Sequence, residues 1–300
     1  MPKQEQCHEE ARRRFLVDPS KCYQRHIREV WEELEDRHSP CNEACKERCT
    51  HFPKSKRKVK RITREEASSL ILKYEWLASD PRTKSPLGRG IEACYGLFLG
   101  EEIIGANCFG RMGGEVGNVC GLSYKDKTGY LMRGVCTHYA PMHAASFFTN
   151  MSCKLAHKDM GCSVFFAYSD TTAASEIGTI YQACGWYFLG EALGNNGHFN
   201  YISPDGTQIV TSYALNHDKE RKFLRSIGWT PDVKDKEGKP LPMRVWLRAK
   251  GWIEVKDLPK KKWATFVGTN EEKKHMQDCC RYPLDLPYPK NRTKNLKEVK

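Results

Sequence analysis

The most constraining feature of the chain is a succession of strand and helix signals between residues 94 and 190. CYGLFLG (94–100) and IIGANCFG (103–110) are apolar runs on either side of a short Gly-Glu-Glu turn, the pattern of a β-hairpin. TGYLMRGVC (128–136) reads as a further strand. SFFTNMSCKLAHKDM (146–160) reads as a helix capped by Ser146 and stopped by Gly161. SVFFAYSD (163–170) is a buried strand, SEIGTIYQACG (175–185) a short helix, and WYFLG (186–190) the start of another strand. A hairpin pairs its strands antiparallel, whereas a strand–helix–strand unit pairs them in parallel. The expected fold class is therefore α/β of the α+β kind, a mixed sheet covered by helices.

The flanks differ in character from this centre. Residues 1–52 read as helical and cysteine-rich, and PKSKRKVKR (53–61) as an exposed linker or phosphate-contacting arm. Thr63 and Glu66 form a capping box ahead of Leu70, Ile71, Tyr74 and Leu77, which follow helical spacing. Beyond residue 216, HDKERKFLRSIG and MRVWLRAKG predict two basic helices around a loop. KKWATFVG (261–268) predicts a late strand, TNEEKKHMQDCC a helix, and PLDLPYPKN an extended end. Four segments follow: a cysteine-rich basic extension (1–62), a catalytic core (63–216), a basic insertion (217–260), and a closing strand, helix and tail (261–300). The net charge of +12 lies outside the middle: residues 217–262 carry a net +7, whereas residues 64–216 carry a net −3. An acidic centre between basic flanks suits a core held against a polyanion by its appendages. Lys56, Arg57 and Lys58 in the first basic segment, and Lys222, Arg225, Arg244 and Arg248 in the second, are the expected nucleic-acid contacts.

Charged residues make up 29% of the chain, and no apolar run approaches the ~20 residues of a membrane-spanning helix. The beginning, MPKQEQCHEEARRRF, lacks the apolar stretch of a secretory signal, so a cytoplasmic protein is expected, with no membrane partner. In a reducing compartment the 14 cysteines are thiols or metal ligands. Cys94, Cys108, Cys120, Cys136, Cys153, Cys162 and Cys184 lie in apolar or mixed segments and read as core filler. Cys41-x3-Cys45-x3-Cys49-x-His51 places potential ligands one helical turn apart, and Cys22-x3-His26 repeats the spacing upstream. Two such pairs on facing helices could complete a tetrahedral structural zinc site. Packing thiols are the competing reading.

The stretch YSDTTAASEIGTIYQACGW (168–186) carries the clearest chemistry. Asp170 lies at the carboxyl end of a central strand, the edge at which ligands bind in open α/β sheets. An aspartate there can accept a proton, and Tyr181, on the helix that follows, can donate one. A second cluster runs through RGVCTHYAPMHAAS (133–146): Arg133 within a strand, His138 just past its end, and Ser146 opening a helix whose free amides favour a developing oxyanion.

These segments together resemble the phage Mom family of DNA-modification proteins. The resemblance is carried by Tyr168-Ser-Asp170, by Glu176-Ile-Gly-Thr-Ile-Tyr-Gln-Ala183, by the Arg133, His138 and Ser146 stretch, by the hairpin YGLFLGEEIIGANCFG, and by Leu-Pro-Tyr-Pro-Lys at 286–290. It spans roughly residues 62–215 and 260–290. It implies a fold related to the GNAT acyltransferases and transfer of a carbamoylmethyl (acetamido-type) group to the exocyclic amine of adenine in double-stranded DNA, protecting it from restriction. By match, Arg133, Ser146, Asp170 and Tyr181 fall at catalytic positions. The family's His-Tyr pair after the first core helix is replaced here by Tyr74-Glu75-Trp76. Glu75 then stands in for that histidine, and Glu75, Trp76, His138 and Tyr139 are the expected substrate-holding residues. The chain lacks the Gln/Arg-x-x-Gly-x-Gly loop that cradles coenzyme A pyrophosphate in ordinary GNAT enzymes. The donor is therefore unknown, with a coenzyme A thioester disfavoured and an aminoacyl or glycine-derived donor in contention. Two alternatives remain open: a GNAT-like N-acyltransferase acting on tRNA or protein amines, and a non-catalytic zinc-containing nucleic-acid-binding protein.

Overall fold

The computed structural model describes residues 2–45, 49–76, 87, 90–111, 113–171, 174–192, 199–206, 209–210, 221–256 and 258–290. Helices α1 (Pro2–Val17), α2 (Tyr23–Glu35) and α3 (Arg64–Tyr74) surround the first strands, β1 (Arg57–Arg61), β2 (Ile91–Leu99) and β3 (Glu102–Gly110). A short α4 (Gly114–Gly117) leads to β4 (Thr128–Cys136), the long α5 (Ala144–Met160) and β5 (Val164–Ser169). Then follow α6 (Thr179–Ala183), β6 (Tyr187–Glu191), β7 (Phe199–Ile202), β8 (Ile209–Val210), α7 (Arg221–Ser226), α8 (Met243–Ala249), β9 (Ile253–Lys256), β10 (Lys261–Phe266) and α9 (Asn270–Asp278).

The main sheet has seven strands in the order β1-β2-β3-β4-β5-β10-β6. The β2–β3 hairpin is antiparallel and β4–α5–β5 is the parallel unit, as the strand pattern requires. The late strand β10 inserts between β5 and β6, antiparallel to both. Alternation along β5 separates the two faces of the sheet. Phe165 and Ala167 join Phe148, Cys153 and Ala156 of α5 on one face. Val164 and Phe166 join Val116, Phe266 and Met276 on the other. That second face carries a further apolar cluster over β2–β4, where Ile27 and Trp31 of α2 and Ile71 of α3 meet Cys94, Phe98, Cys108 and Val135. Trp186 and Trp263 are fully buried, each burial contributing on the order of 2–3 kcal/mol.

Local signals place the elements. Thr63 Oγ1 accepts the Glu66 N–H at 3.1 Å while Glu66 accepts the Thr63 N–H at 2.8 Å, so the capping box starts α3. Thr269 and Glu272 do the same for α9. Three expectations are corrected. Residues 57–61 are no linker: Val59 gives this basic run an apolar anchor, and it pairs with β2 as an edge strand, where lysines also discourage further pairing. The helix after residue 175 is shorter than its text suggests, because Gly178 takes φ 73° and α6 starts only after it. A Cβ at Gly178 would come within 2.3 Å of the Trp263 ring, so glycine is required there. The basic insertion does not begin at 217. Strands β8, β7 and β9 form a separate three-stranded sheet, and Tyr201 of β7 shares a small core with Leu224, Trp229, Trp246 and Trp252. Among the described residues this outer module thus includes Phe199–Ile202 and Ile209–Val210 as well as those after 220. The stretch 217–220 lies outside the described residues.

Of the core-filler cysteines, Cys94, Cys108, Cys120, Cys153 and Cys162 are buried, while Cys136 and Cys184 are partly buried. Among the described residues no helix is long and apolar enough to cross a membrane.

Candidate active site

Strands β4 and β5 pair only where Thr128–Tyr130 meet Val164–Phe166. Beyond that point β4 stays with β3 and β5 with β10, so the two strands diverge at the centre of the sheet. A divergence between parallel strands frees backbone edges and opens a fork that a ligand can enter. A β-bulge on β4 shapes it: Leu131 pairs with Phe109 and Arg133 with Cys108, leaving Met132 as the extra residue. Cross-strand partners share a face, so the bulge turns Arg133 to the side of α3.

Seven titratable side chains converge on the fork. Arg133 forms an ion pair with Glu75, the residue that ends α3, and both are nearly sealed from solvent. Burial pushes the Glu75 carboxyl up, and the Arg133 charge only partly opposes this. Asp170, directly after β5, lies 3.3 Å from Lys260, which precedes β10. Tyr130 stands at the branch point within electrostatic reach of Lys260, Glu75, Arg133 and Asp170, and burial raises its hydroxyl. Tyr181 stacks on Trp186 and Trp263 at 5.0 and 5.7 Å between ring centroids. Its hydroxyl, pushed well above the ordinary range by burial, is within reach of Tyr130, Glu176 and Glu75. Both tyrosines therefore stay protonated donors at neutral pH. A second network adjoins: Glu115 of α4 accepts from Tyr168 at 2.7 Å, from the buried Lys262 at 2.9 Å and from Tyr282 at 3.2 Å. Burial raises the Glu115 carboxyl, but Lys262 and Tyr168 outweigh it and hold it below the usual range.

Of the expected catalytic residues, the fork brings together Arg133, Asp170 and Tyr181. Ser146 is corrected: it is not the cap of α5. The Pro141–His143 turn starts the helix earlier, with His143 in the left-handed region at φ 64°, and Ser146 Oγ donates to His143 O at 3.2 Å from within the first turn. The four residues expected to hold substrate stand in packed or paired positions. Glu75 is committed to Arg133. Trp76 packs against Tyr23 at 6.5 Å. His138 is fully buried, sandwiched against Trp31 and Tyr74, and burial pushes it down to about 4, so it is neutral and closed to substrate. Tyr139 donates to Glu102 at 2.7 Å beneath the Arg37 guanidinium. Sequence reasoning missed Tyr130 and Lys260. Tyr130 is hidden in a strand whose apolar residues dominate it, and Lys260 in a lysine run that reads as surface charge.

The basic residues divide between two places. Lys56 and Lys58 are exposed at the β1 edge, whereas Arg57 covers the Phe52 and Phe147 rings at 4.9 and 4.2 Å. On the outer module Arg225 is exposed, Arg244 is half-buried and Arg248 is paired with Glu254. The Lys222 side chain lies outside the described residues.

The cysteine motif also comes together, in altered form. Among the described residues of this stretch a short 3-10 turn stands at Glu43–Cys45, where a run of helix was expected. Atoms of Cys41, Cys45 and His51 lie within 4.8 Å of one another. Cys22 and His26 stand outside this group: Cys22 precedes α2, and His26 is buried with Nε2 2.9 Å from Asp18 O.

Among solved structures the chain is similar to a Bacillus subtilis acetyltransferase in complex with CoA, at 13% identity over 71% of this chain and 99% of that one, with a TM-score of 0.35. It is similar to an IAA acetyltransferase from Bacillus cereus at 14% identity, over 70% and 99% of the two chains, with a TM-score of 0.37. A Salmonella typhimurium acetyltransferase that modifies the N-terminal serine of ribosomal protein L7/L12 gives 9% identity, 72% and 99% coverage, and a TM-score of 0.35. No curated protein matches the chain. The sequence profile of the Mom protein family matches residues 56–237, which include α3, the hairpin, the fork from Tyr130 to Tyr181 and part of the outer module, and the chain belongs to the Mom protein family.

Proposed function

We propose that the chain is a GNAT-like transferase that places a carbamoylmethyl group on the exocyclic amine of adenine in double-stranded DNA. The observation that carries this reading is the convergence of Arg133, Asp170 and Tyr181 at the β4–β5 fork in a member of the Mom family. An adenine amine is a weak nucleophile because its lone pair is delocalised into the ring, so its proton must leave as the new N–C bond forms. Asp170, partly open and beside Lys260, accepts that proton. Arg133, fixed by Glu75, faces the charge that develops on the donor group. Tyr130 and Tyr181 donate hydrogen bonds and offer aromatic faces to a base extruded from the duplex. The donor remains to be identified by the mass of the transferred group. The stretch between β4 and α5 carries the Pro141–His143 turn and lacks a Gln/Arg-x-x-Gly-x-Gly sequence, which favours a donor other than a coenzyme A thioester.

The test is mass spectrometry of nucleosides from the DNA of bacteria expressing the chain. A heavier adenosine species, absent with Asp170→Asn, is the expected result. Unmodified DNA from cells holding soluble, folded protein would overturn the adenine assignment and move the search to tRNA or protein amines.

A further inference from the structure

Among the described residues of the loop between α2 and β1, two hydrophobic side chains are buried, Cys45 and Phe52. The loop nevertheless gathers Cys41, Cys45 and His51 within 4.8 Å of one another and sets Cys49 beside Cys41. Cys45 Sγ lies 3.2 Å from His51 Nδ1, and Cys41 Sγ lies 3.5 Å from Cys49 Sγ. A tetrahedral zinc ion with Zn–S of about 2.3 Å and Zn–N of about 2.0 Å requires ligand-to-ligand edges of roughly 3.5–3.8 Å. Both contacts are close to such edges, and Cys41 links the two pairs, since it also lies within 4.8 Å of Cys45 and His51.

A further contact points the same way. The Met142 N–H donates to Cys41 Sγ at 2.9 Å, a close approach that suits a charged, metal-bound thiolate and fixes its orientation. Met142 belongs to the turn that launches α5, and Ser39 Oγ donates to Ala140 O at 3.3 Å in that same turn. The ligands are therefore attached to the segment that sets where α5 begins. This segment runs from the end of β4, which forms one side of the fork, into the helix that carries Ser146.

We propose that Cys41, Cys45, Cys49 and His51 bind one zinc ion, and that this ion fastens the N-terminal extension to the Pro141–His143 turn at the start of α5. Three thiolates and an imidazole form a donor set matched to zinc, and they leave no position for a bound water, so the ion is structural. On binding, the thiols lose their protons to solvent and no oxidation state changes. The site is distinct from the fork, whichever group the fork transfers.

The experiment uses the full chain, purified with a phosphine reductant and without chelator, and elemental analysis. One zinc per chain is expected, falling to well under a tenth in Cys45→Ser and in His51→Ala, with Cys22→Ser and His26→Gln retaining it. Cobalt(II) added to the zinc-free chain should give the intense thiolate-to-cobalt absorption of a tetrahedral site, a readout that needs no variant to fold. Hydrogen exchange of the amides from Met142 to Ser146 should slow at least tenfold on zinc loading. A chain that takes up neither metal, metal retained in both Cys45→Ser and His51→Ala, or a Cys41–Cys49 disulfide in place of the metal overturns the site. Zinc binding with unchanged exchange at 142–146 overturns the link to α5. None of these outcomes depends on DNA being the substrate.

Discussion

The fork and the outer module handle charge in opposite ways. At and beside the fork three acids are matched to cations, Glu75 with Arg133, Asp170 with Lys260 and Glu115 with Lys262, the first pair nearly sealed from water. In the module a few aromatic residues, Tyr201, Trp229, Trp246 and Trp252, form a small core, and the cations lie around it in solvent, with Arg225 and Lys250 exposed. Buried pairs fix direction, because removing one partner leaves the other charge stranded. Exposed cations supply attraction without direction, which suits a phosphate backbone. Under the proposed function, the difference gives the chemistry to the fork and the holding of DNA to the module.

The largest effects should come from breaking each region at its own support. Glu75→Gln strands the Arg133 guanidinium and is expected to cost about 3–5 kcal/mol in stability. It should also abolish modification, while Glu75→Gln combined with Arg133→Met should regain stability by thermal melting without regaining activity. Trp246→Ala removes a buried ring from the module core and should cost about 3–5 kcal/mol locally. Hydrogen exchange should then show the module opening while the main sheet stays protected, with DNA affinity lowered. If both variants destabilise both regions equally, the two are one cooperative unit and the division fails.

Next in size is the base. Asp170→Asn should lower the modification rate by about 10²–10⁴-fold, the range of a lost general base, with DNA affinity within a factor of two. A rate within tenfold of the parent would shift the proton to Glu75, the carboxyl that burial makes more basic. A pH–rate profile separates the two, since Glu75 as the base would move the acidic limb to higher pH.

How far the sequence discloses this division depends on which forces are local. The capping boxes at Thr63 and Thr269, the hairpin, and the parallel β4–α5–β5 unit rest on short-range rules and are legible from the residues alone. The place of Asp170 directly after β5 and of Arg133 within β4 is likewise legible, because the strand pattern is local. What escaped is long-range. The insertion of β10 between β5 and β6 brings Lys260 to Asp170 across ninety residues, and the Met132 bulge re-aims Arg133, yet neither leaves a local mark. His138 reads as a site residue because a histidine after a strand suggests chemistry, whereas the packing of Trp31 and Tyr74 around it is a long-range effect that leaves no local mark. The β7–β9 pairing joins segments on either side of both basic helices, so a boundary drawn from charge alone splits the module.

A smaller effect concerns pH. His8 and His138 are both buried and pushed down to about 4, against about 6.5 when unfolded. They are neutral in the folded chain, so unfolding takes up protons between these values. Their contribution is intact above about pH 6.5 and is lost as pH falls toward 4. Thermal melting should therefore show stability declining across that window. His138→Phe, which can stack on Trp31 and Tyr74, should make the decline shallower by about one proton. An unchanged slope would mean that His138 finds a partner for its proton, with Glu35 at 3.6 Å the nearest candidate.

The smallest effect tests the module's side of the comparison. Binding to duplex DNA should weaken steeply with salt, because each phosphate neutralised by a lysine or arginine releases a counterion. Arg225→Ala, at an exposed position with no role in the module core, should lower the slope of log affinity against log salt by about one and leave the modification rate at saturating DNA unchanged. Arg248→Ala should change the slope less, because Glu254 already neutralises that guanidinium. The order of the two variants matters more than either value. Equal losses would mean that DNA draws Arg248 away from Glu254, so that the module rearranges on binding, whereas an unchanged slope for Arg225 would place the phosphate contacts elsewhere, with Lys56 and Lys58 on the β1 edge next to be substituted.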